Sequence, residues 1–373
     1  MKIGINARFL TEPYTGIGQY TYNLLLHLSK IDSENDYYLF TPELVDLELP
    51  ENFHQIRLPE KQYKSASWRK HHWEHTQLPQ EMGKFEIDLA HFFYPSNPNK
   101  KMKIPIVVTV HDAIPWVLPE YRKKFRSKLY HFYTKRALKK ADHIITVSNF
   151  SKDEIKRILK IPNDVIRVIY LSSPLQDKMT PPISVPLRRK YLLYIGGYDK
   201  RKNVSSLMKA FQKHIGNQYD IDLMLVNSKG KGLEEHITDE YNEKVAGKYV
   251  VKPKGKVLFT GPLEPGELTY LYKQAVALVH VSLYEGFNLP LVEAMSQGLP
   301  IIAADIPVNH EVTGDHALFV DPTSVDSIGN GIHEFLNQKT LTQKLRKEGL
   351  DRSRDFSWEK CAEETLSVYN LYS

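Results

Sequence analysis

One stretch of the sequence joins a strand, a turn and a helix, and it reads SLYEGFNLPLVEAMSQGLP over Ser282–Pro300. The apolar run Ala277–Val281 before it predicts a buried strand, and glycine permits the turn that follows. Asn288 can cap a helix that has Pro290 near its start, and Gly298 can end that helix. The amide N–H groups at the start of this helix would point at the carboxyl end of the strand. Such groups bind anions, so the stretch predicts a diphosphate site.

The same strand–helix pattern recurs along the whole chain. Apolar runs that predict strands are Ile3–Ile5, Tyr37–Phe40, Ile87–His91, Ile104–Val110, His143–Val147, Val165–Tyr170, Tyr191–Ile195, Ile221–Val226, Lys256–Phe259, Ala277–Val281, Pro300–Ala303 and Ala317–Val320. Stretches with helical periodicity lie between them, among them Gly18–Ser29, Ser151–Leu159, Val204–His214 and Pro290–Gln297. Because continuously apolar runs alternate with helices, they predict parallel sheets that helices cover on both faces.

A proline-containing stretch, Leu171–Leu187, separates two such series of strands and helices. A chain of 373 residues suits two domains better than one. We therefore expect two Rossmann-like domains with a linker near residue 180. Open α/β sheets bind ligands at the carboxyl ends of their strands, so we expect the active site in the cleft between the domains.

Two carboxylates lie beside the predicted diphosphate site. Glu285 comes just before it, and Glu293 is expected in the first turn of the helix. A carboxylate suits adjacent sugar hydroxyls, because each charged hydrogen bond contributes about 1.5–3 kcal/mol. Two plainer interpretations remain open. Glu285 could be an exposed loop charge, and Glu293 could simply stabilise the helix N-terminus.

A basic turn begins with Gly196 and Gly197 at the end of a predicted strand and contains Lys200, Arg201 and Lys202. Cations beside a diphosphate offset the charge that builds on a leaving group, and one such contact is worth about 10²–10³ in rate. Three adjacent cations are also common in solvated turns, so both interpretations remain open.

Two loops of the first half follow predicted strands. Tyr14–Tyr20 contains Gly16 and Gly18, which let a backbone approach an anion. This loop lacks the dinucleotide fingerprint and could be a turn only. His111 and Asp112 follow a very apolar strand, whose carboxyl end would face a ligand. A structural histidine satisfied by backbone groups is the plainer alternative.

Together these motifs resemble those of the GT-B retaining glycosyltransferases of glycosyltransferase family 4. The signature of that family is a pair of glutamates separated by seven residues, as Glu285 and Glu293 are. Other segments that resemble the family are Phe259–Gly261, Ala303–Pro307, Glu311–Asp315, Val320–Pro322 and Phe356–Glu359, and also Trp73–Glu74 and Gln77–Pro79. The likeness covers nearly the whole chain.

The resemblance assigns roles to the residues of the Ser282–Pro300 stretch. It implies that Glu285 contacts the transferred sugar and that Glu293 contacts the ribose hydroxyls. It also implies backbone contacts to the sugar and the diphosphate from Phe287, Asn288 and Leu289.

The resemblance also covers the other three motifs. His111 would lie beside the transferred sugar, and Gly16 would give its amide to the donor phosphates. Lys202 matches a family lysine. The family often has an arginine right after the first glycine of the basic turn. Gly197 occupies that position here, and Arg201 can substitute for the arginine.

The implied fold is α/β of the GT-B type, two Rossmann-like doubly wound domains with an interdomain cleft. Residues 1–180 would form the acceptor domain, 181–357 the nucleotide-sugar donor domain, and 358–373 a helix that returns to the first domain. The implied reaction is retaining transfer of a hexosyl residue to a glycan or lipid-linked acceptor in surface polysaccharide assembly. GDP-mannose is the first choice of donor, with UDP-glucose or UDP-N-acetylglucosamine behind it. No cofactor is implied, and no metal, since no pair of acidic ligands flanks a strand end.

Two other functions remain open for a chain of this fold. A non-catalytic nucleotide-sugar-binding subunit would need no turnover, and the presence of both glutamates, His111 and Lys202 argues against it. A GT-B sugar-nucleotide epimerase would need acid and base groups that the pattern does not identify.

The net charge of +6 belongs to the first half of the chain. Residues 1–185 hold 27 Lys and Arg against 20 Asp and Glu, whereas residues 186–373 hold 23 against 24. Nine of the cations lie between Arg122 and Lys140, where Phe125, Leu129, Phe132 and Tyr133 predict the buried stripe of an amphipathic helix. This helix is either a solvated surface or a contact for an anionic membrane or a phosphate-bearing acceptor. No nucleic-acid recognition motif accompanies the charge.

Three absences indicate a cytoplasmic protein, at the inner face of the membrane if the basic helix docks there. The N-terminus has no apolar core of a signal peptide, and no segment approaches the ~20 apolar residues of a membrane span. Cys361 is the single cysteine, so no disulfide can form within the chain.

Overall fold

The computed structural model describes residues 1–122, 125–175, 179–181, 189–226, 255–260 and 263–373, and of residues 125, 126, 129 and 130 it describes the backbone alone. The chain divides into two compact units. The first comprises residues 1–172 and 356–373, and the second comprises residues 173–355. Residues 176–178 and 182–187 of the predicted linker stretch, and Gly261 of the family-like segment Phe259–Gly261, lie outside the described residues.

The first unit contains a sheet of seven parallel strands. In chain order these are β1 (Lys2–Asn6), β2 (Asp36–Thr41), β3 (Phe53–Arg57), β4 (Leu89–Phe92), β5 (Ile106–Val110), β6 (His143–Thr146) and β7 (Ile166–Val168). Across the sheet their order is β3-β2-β1-β4-β5-β6-β7. The order reverses between β1 and β4, and such a switch point opens a crevice at the carboxyl ends of the strands.

The helices of this unit are α1 (Gly16–Ile31), α2 (Ala66–His72), α3 (Leu78–Lys84), α4 (Ile114–Val117), α5 (Phe125–Leu138) and α6 (Asn149–Leu159). In α1, Tyr20, Leu24 and Leu28 recur every fourth residue and are buried, so this face packs into the core. A π-helical turn, Trp73–Gln77, joins α2 to α3 and buries Glu74, which accepts a 2.5 Å hydrogen bond from the Tyr94 hydroxyl.

In its described residues the second unit contains six parallel strands: β8 (Lys190–Ile195), β9 (Ile221–Val226), β10 (Val257–Thr260), β11 (Ala277–His280), β12 (Ile301–Ala304) and β13 (Leu318–Val320). Their order is β10-β9-β8-β11-β12-β13, with the switch point between β8 and β11. The helices are α7 (Val204–Ala210), α8 (Pro265–Gln274), α9 (Leu289–Ser296), α10 (Pro307–Thr313), α11 (Val325–Asn337) and α12 (Lys339–Ser353).

Helix α13 (Trp358–Tyr369) belongs to the first unit. The Tyr369 hydroxyl lies 2.6 Å from Nδ1 of His91 in β4. Buried hydrogen bonds continue from His91 Nε2 to Thr109 Oγ1 and from Thr109 Oγ1 to the Tyr20 hydroxyl, and each is 2.9 Å long. These bonds connect α13 to two strands and to α1.

The predicted α/β class with two doubly wound parallel sheets is confirmed. Strand β3 was not predicted, because His54, Gln55 and Arg57 interrupt its apolar pattern at the edge of the sheet. The predicted helix Val204–His214 is α-helical only to Ala210 and continues as a π-helical turn.

The predicted buried stripe of the basic helix is wrong for Phe132 and Tyr133, which are 59% and 45% exposed. The face of α5 that packs into the core carries Thr134, Ala137 and Leu138 instead. Lys123, Lys124 and the side chains of Phe125, Arg126 and Leu129 lie outside the described residues.

Candidate functional site

The turn after β11 leads into helix α9, as the sequence predicts. Asn288 occupies the N-cap position with a left-handed backbone, φ 76° and ψ 60°, which Asn tolerates better than most residues. The predicted side-chain cap is wrong, because the Asn288 amide donates to Asn309 Oδ1 at 2.8 Å instead. Leu291 N–H donates to Asn288 O, and Pro290 has no N–H. The predicted anion site lies where residues 287–289 lead into α9, and its role stays a prediction.

Glu285 lies between two cations of the basic turn. Lys202 Nζ is 2.6 Å from its Oε1, and an Arg201 guanidinium nitrogen is 2.8 Å from its Oε2. Burial alone would raise the pKa of Glu285, but Lys202 and Arg201 outweigh burial and hold the pKa at about 2. Glu285 is 6% exposed, so it is not an exposed loop charge. Arg201 and Lys202 likewise do not belong to a solvated turn.

Backbone geometry and one amide place the basic turn beside Glu285. Gly196, after β8, has φ +146°, a conformation that side-chain-bearing residues rarely adopt. Arg201 and Lys202 follow in a 3₁₀ turn that Asp199 caps by accepting from Arg201 N–H. Asn203 then donates to Val281 O at 3.1 Å and to Pro322 O at 2.7 Å, which ties the turn to the end of β11.

Glu293 is the fifth residue of α9, so the prediction that it lies in the first helical turn is wrong. It is buried, and the hydroxyl of Tyr272 in α8 donates a short hydrogen bond to its Oε2. Burial raises the pKa of Glu293 to about 7, against the lowering effect of the Tyr272 hydrogen bond. The carboxyl therefore titrates near neutral pH.

Helix α1 of the first unit begins at Gly16 itself, not after the glycine loop. Thr15 Oγ1 accepts from Gly18 N–H at 3.0 Å and caps the helix. A Cβ on Gly18 would lie 2.1 Å from Glu12 O, whereas a Cβ on Gly16 would meet nothing within 4 Å. The backbone at Gly16 therefore borders open space.

His111 follows β5, and its Nε2 lies 2.9 Å from Phe93 O. Because a carbonyl only accepts, Nε2 carries the proton and Nδ1 is the acceptor nitrogen. Burial lowers the pKa of His111 to about 4, so the ring is neutral at pH 7. Tyr20 packs against the ring edge-to-face at 4.7 Å. Asp112 Oδ1 accepts from Ile114 N–H at 2.9 Å, which holds the turn into α4.

Both halves of the chain match known protein families. The family described as Glycosyltransferase Family 4 matches residues 14–172, and Glycosyl transferases group 1 matches residues 176–352. O-antigen chain mannosyltransferase B of Escherichia coli is 32% identical over 273 residues, which cover 71% of this chain and 70% of that protein. The chain belongs to glycosyltransferase family 4.

One further relative and one solved structure are also similar to this enzyme. O-antigen chain mannosyltransferase RfbU of Salmonella typhimurium is 32% identical over 217 residues, 58% of this chain and 56% of its own. The structure of sucrose-phosphate synthase from Thermosynechococcus elongatus is similar to this one, with a TM-score of 0.78 at 20% sequence identity. The similarity covers 100% of this chain and 98% of that one. The predicted GT-B fold is confirmed, and the enzyme is a glycosyltransferase.

The structure brings Glu285, Arg201 and Lys202 of the family 4 enzyme into direct contact. Residues 287–289 and Glu293 follow in the next turn and in α9 of the same unit, whereas Gly16 and His111 belong to the first unit. The roles assigned to these residues stay predictions.

Sequence reasoning missed three polar side chains around this site: Tyr272, Asn203 and His280. Buried His280 ends β11, lies 3.2 Å from the Asn288 amide and is neutral, because burial lowers its pKa to about 3. Its place at a strand end was a signal that could have been used. Tyr272 gave none, because its position on α8 matches that of any core residue.

Within the described residues, no group of three or more His, Cys, Asp or Glu side chains could hold a metal ion. In the same part of the chain, no helix is both long and apolar enough to cross a bilayer.

Proposed function

We propose that this enzyme transfers a hexosyl residue from a nucleotide sugar with retention of anomeric configuration and without a metal ion. The observation that carries the proposal is the contact of Glu285 with Arg201 and Lys202 beside the start of α9. It concentrates two cations, one carboxylate and a helix N-terminus in one place. A diphosphate and a sugar need that combination of groups.

In the proposed reaction, Arg201 and Lys202 bind the donor diphosphate and offset the charge that develops as it leaves. The amides of residues 287–289 add neutral donors at the helix start. Once the cations have moved to the phosphates, Glu285 is available to the hydroxyls of the transferred sugar. The acceptor hydroxyl attacks from the face that the diphosphate leaves, and the diphosphate takes its proton.

Glu293 and His111 complete the proposed set. The oxygens of Glu293 accept hydrogen bonds from the ribose hydroxyls, which favours its ionised form. Neutral His111, protonated on Nε2, presents Nδ1 as an acceptor for a sugar hydroxyl. The backbone at Gly16 borders open space and can give its amide to the donor phosphates.

The proposed donor is GDP-mannose, because two relatives with 32% identity are O-antigen chain mannosyltransferases. UDP-glucose and UDP-N-acetylglucosamine follow. The proposed acceptor is a glycan or lipid-linked saccharide of surface polysaccharide assembly, and the proposed place is the inner face of the membrane. The basic helix α5 would supply the peripheral contact.

A panel of nucleotide sugars tests this function. Purified enzyme is titrated with GDP-mannose, UDP-glucose and UDP-N-acetylglucosamine, and both binding and slow donor hydrolysis are measured. We expect GDP-mannose to bind most tightly, with the sugar released as the α-anomer that the donor contains. Binding without hydrolysis or transfer would favour a non-catalytic subunit, and interconversion of the sugar nucleotide would favour an epimerase.

A further inference from the structure

A surface pocket of about 560 Å³ opens in the first unit, between the turn after α4 and helix α5. Cationic and aromatic side chains dominate its lining: Trp116, Arg122, Lys128, His131, Phe132 and Lys135. None of the residues proposed to bind the donor lines it. The proposed donor site therefore does not account for this pocket.

Hydrogen bonds across the pocket hold its walls together. The indole N–H of Trp116 donates to His131 O at 3.2 Å, and His131 Nε2 lies 3.1 Å from Tyr121 O. Burial lowers the pKa of His131, so its ring is neutral at pH 7 and donates to that carbonyl. The positive charge of the pocket therefore comes from its lysines and its arginine.

No carboxylate of the described residues forms an ion pair with Arg122, Lys128 or Lys135. Partial burial lowers the pKa of Lys135, and the positive charges of Lys139 and Lys160 lower it further. Lys135 of the pocket is thus repelled by lysines that lie near the pocket. An anion placed among them would relieve that repulsion.

Aromatic rings beside these cations point into solvent. Phe132 on the rim of the pocket is 59% exposed, and the neighbouring Tyr133 is 45% exposed. Exposed aromatic rings next to lysines are typical of helices that lie at a membrane interface, where the rings enter the headgroup region. These exposed rings therefore favour a membrane surface over a soluble anion as the partner of the pocket.

We propose that this pocket binds the phosphate headgroup of an anionic phospholipid. The lysines and the arginine bind the phosphate, while Phe132 and Tyr133 enter the interface around it. A concave site can hold one phosphate group at a defined position. A flat basic surface attracts anionic lipids without holding any one of them in place. The inference rests on the peripheral contact of the proposed function, and it gives that contact a defined anchor separate from the donor site.

The test is co-sedimentation of the full-length enzyme with vesicles of phosphatidylcholine alone or mixed with phosphatidylglycerol. We expect binding to the mixed vesicles at low salt and little binding to the neutral ones. The double variant Lys128→Gln/Lys135→Gln should lower the partition coefficient about thirty-fold, as expected for two cations that act near a charged surface. Phe132→Ala/Tyr133→Ala should lower binding at low and at high salt alike, because apolar burial is not screened.

Two matched controls separate the pocket from diffuse attraction. Lys139→Gln/Lys140→Gln removes the same charge just beyond the same helix, and Lys209→Gln/Lys273→Gln removes it from the second unit. Each control should change partition only a few-fold, and donor hydrolysis should stay at the wild-type rate in all these variants. Equal losses for Lys128/Lys135 and Lys139/Lys140 would overturn the proposal. Displacement from the mixed vesicles by millimolar inorganic phosphate would assign the pocket to a soluble anion instead.

Discussion

Glu285 pairs with both Arg201 and Lys202, so the three side chains together carry one net positive charge. The carboxylate accepts from Lys202 at 2.6 Å and from Arg201 at 2.8 Å, the length of strong charge-assisted hydrogen bonds. A diphosphate that enters must replace the carboxylate as the partner of these cations. Donor binding and the release of Glu285 toward the sugar would therefore occur together.

The first prediction concerns the charge of Glu285. Glu285→Gln keeps the shape of the side chain but removes the negative charge, so transfer should fall at least about 10²-fold. Steady-state kinetics with saturating donor measures the loss. Glu334→Gln, an exposed carboxylate on α11, is the matched control and should retain normal rates. A normal turnover number for Glu285→Gln would remove this residue from the proposed site.

The second prediction concerns Tyr272 as the partner of Glu293. The Tyr272 hydrogen bond lowers the pKa of Glu293, which lies at about 7. Tyr272→Phe should raise that pKa and make donor binding at pH 7 about 3- to 10-fold weaker, with little change at pH 9. Calorimetric titration with donor across this pH range is the measurement. Glu293→Gln should weaken binding by about 1–3 kcal/mol with no such pH dependence. An unchanged pH profile in Tyr272→Phe would contradict the coupling.

The third prediction concerns stability. Native Glu293 keeps its proton up to about pH 7, whereas the unfolded chain releases it near the ordinary pKa of 4.5. Between these values the native state binds more protons, so the free energy of unfolding falls as the pH rises. The loss should reach about 3 kcal/mol above pH 7. Urea unfolding at pH 5 and pH 8 should therefore show Glu293→Gln gaining stability over the wild type at the higher pH only.

Among the elements, the start of α1 offers a matched pair of glycines. A Cβ on Gly18 would lie 2.1 Å from a backbone oxygen, but one on Gly16 would meet nothing within 4 Å. Gly18→Ala should lower the free energy of unfolding by about 1–3 kcal/mol, because α1 must shift. Gly16→Ala should leave stability within about 0.5 kcal/mol yet weaken donor binding, since its Cβ would obstruct the amide. Equal donor affinity in Gly16→Ala and the wild type would argue against a phosphate contact there.

Elements made of continuous apolar residues were readable from the sequence, and irregular positions were not. All strands except β3 were predicted, because a strand buried on both faces leaves an unbroken apolar run. Glu293 was predicted in the first turn of the helix. The helix begins at Leu289, so four helical residues precede Glu293 and it lies in the second turn. Asn288 is the N-cap residue as predicted, but it has a left-handed backbone and its side chain makes no capping hydrogen bond.

The pairing of Glu285 with the basic turn joins positions 83 and 84 residues apart. The sequence indicated both partners as separate motifs, each with a plainer alternative. The hydrophobic periodicity of the sequence does not indicate which carboxylate a lysine contacts when the two residues follow strands on either side of a switch point. The fold was thus predictable from local pattern and family likeness together, whereas the charge pairing needed three-dimensional structure.

At the scale of the whole molecule, fixed positive charge can take the place of a metal ion at the diphosphate. Arg201, Lys202 and the start of α9 all belong to the second unit, and in the proposed mechanism they supply that positive charge. We expect equal turnover in chelator and in added magnesium or manganese. The comparison should use enzyme dialysed against chelator beforehand. Loss of activity in chelator that magnesium restores would mean that the site has been misread.

The first unit is discontinuous, since it consists of residues 1–172 and 356–373. During synthesis on the ribosome, β4 is made long before α13, and the partners His91 and Tyr369 are 278 positions apart. The second unit is in effect an insertion whose own folding must bring the two ends of the first together. Ser172 donates to Phe356 O at 3.0 Å across that junction. A folded insert shortens the loop that must close, so any ligand that stabilises the second unit should also speed completion of the first.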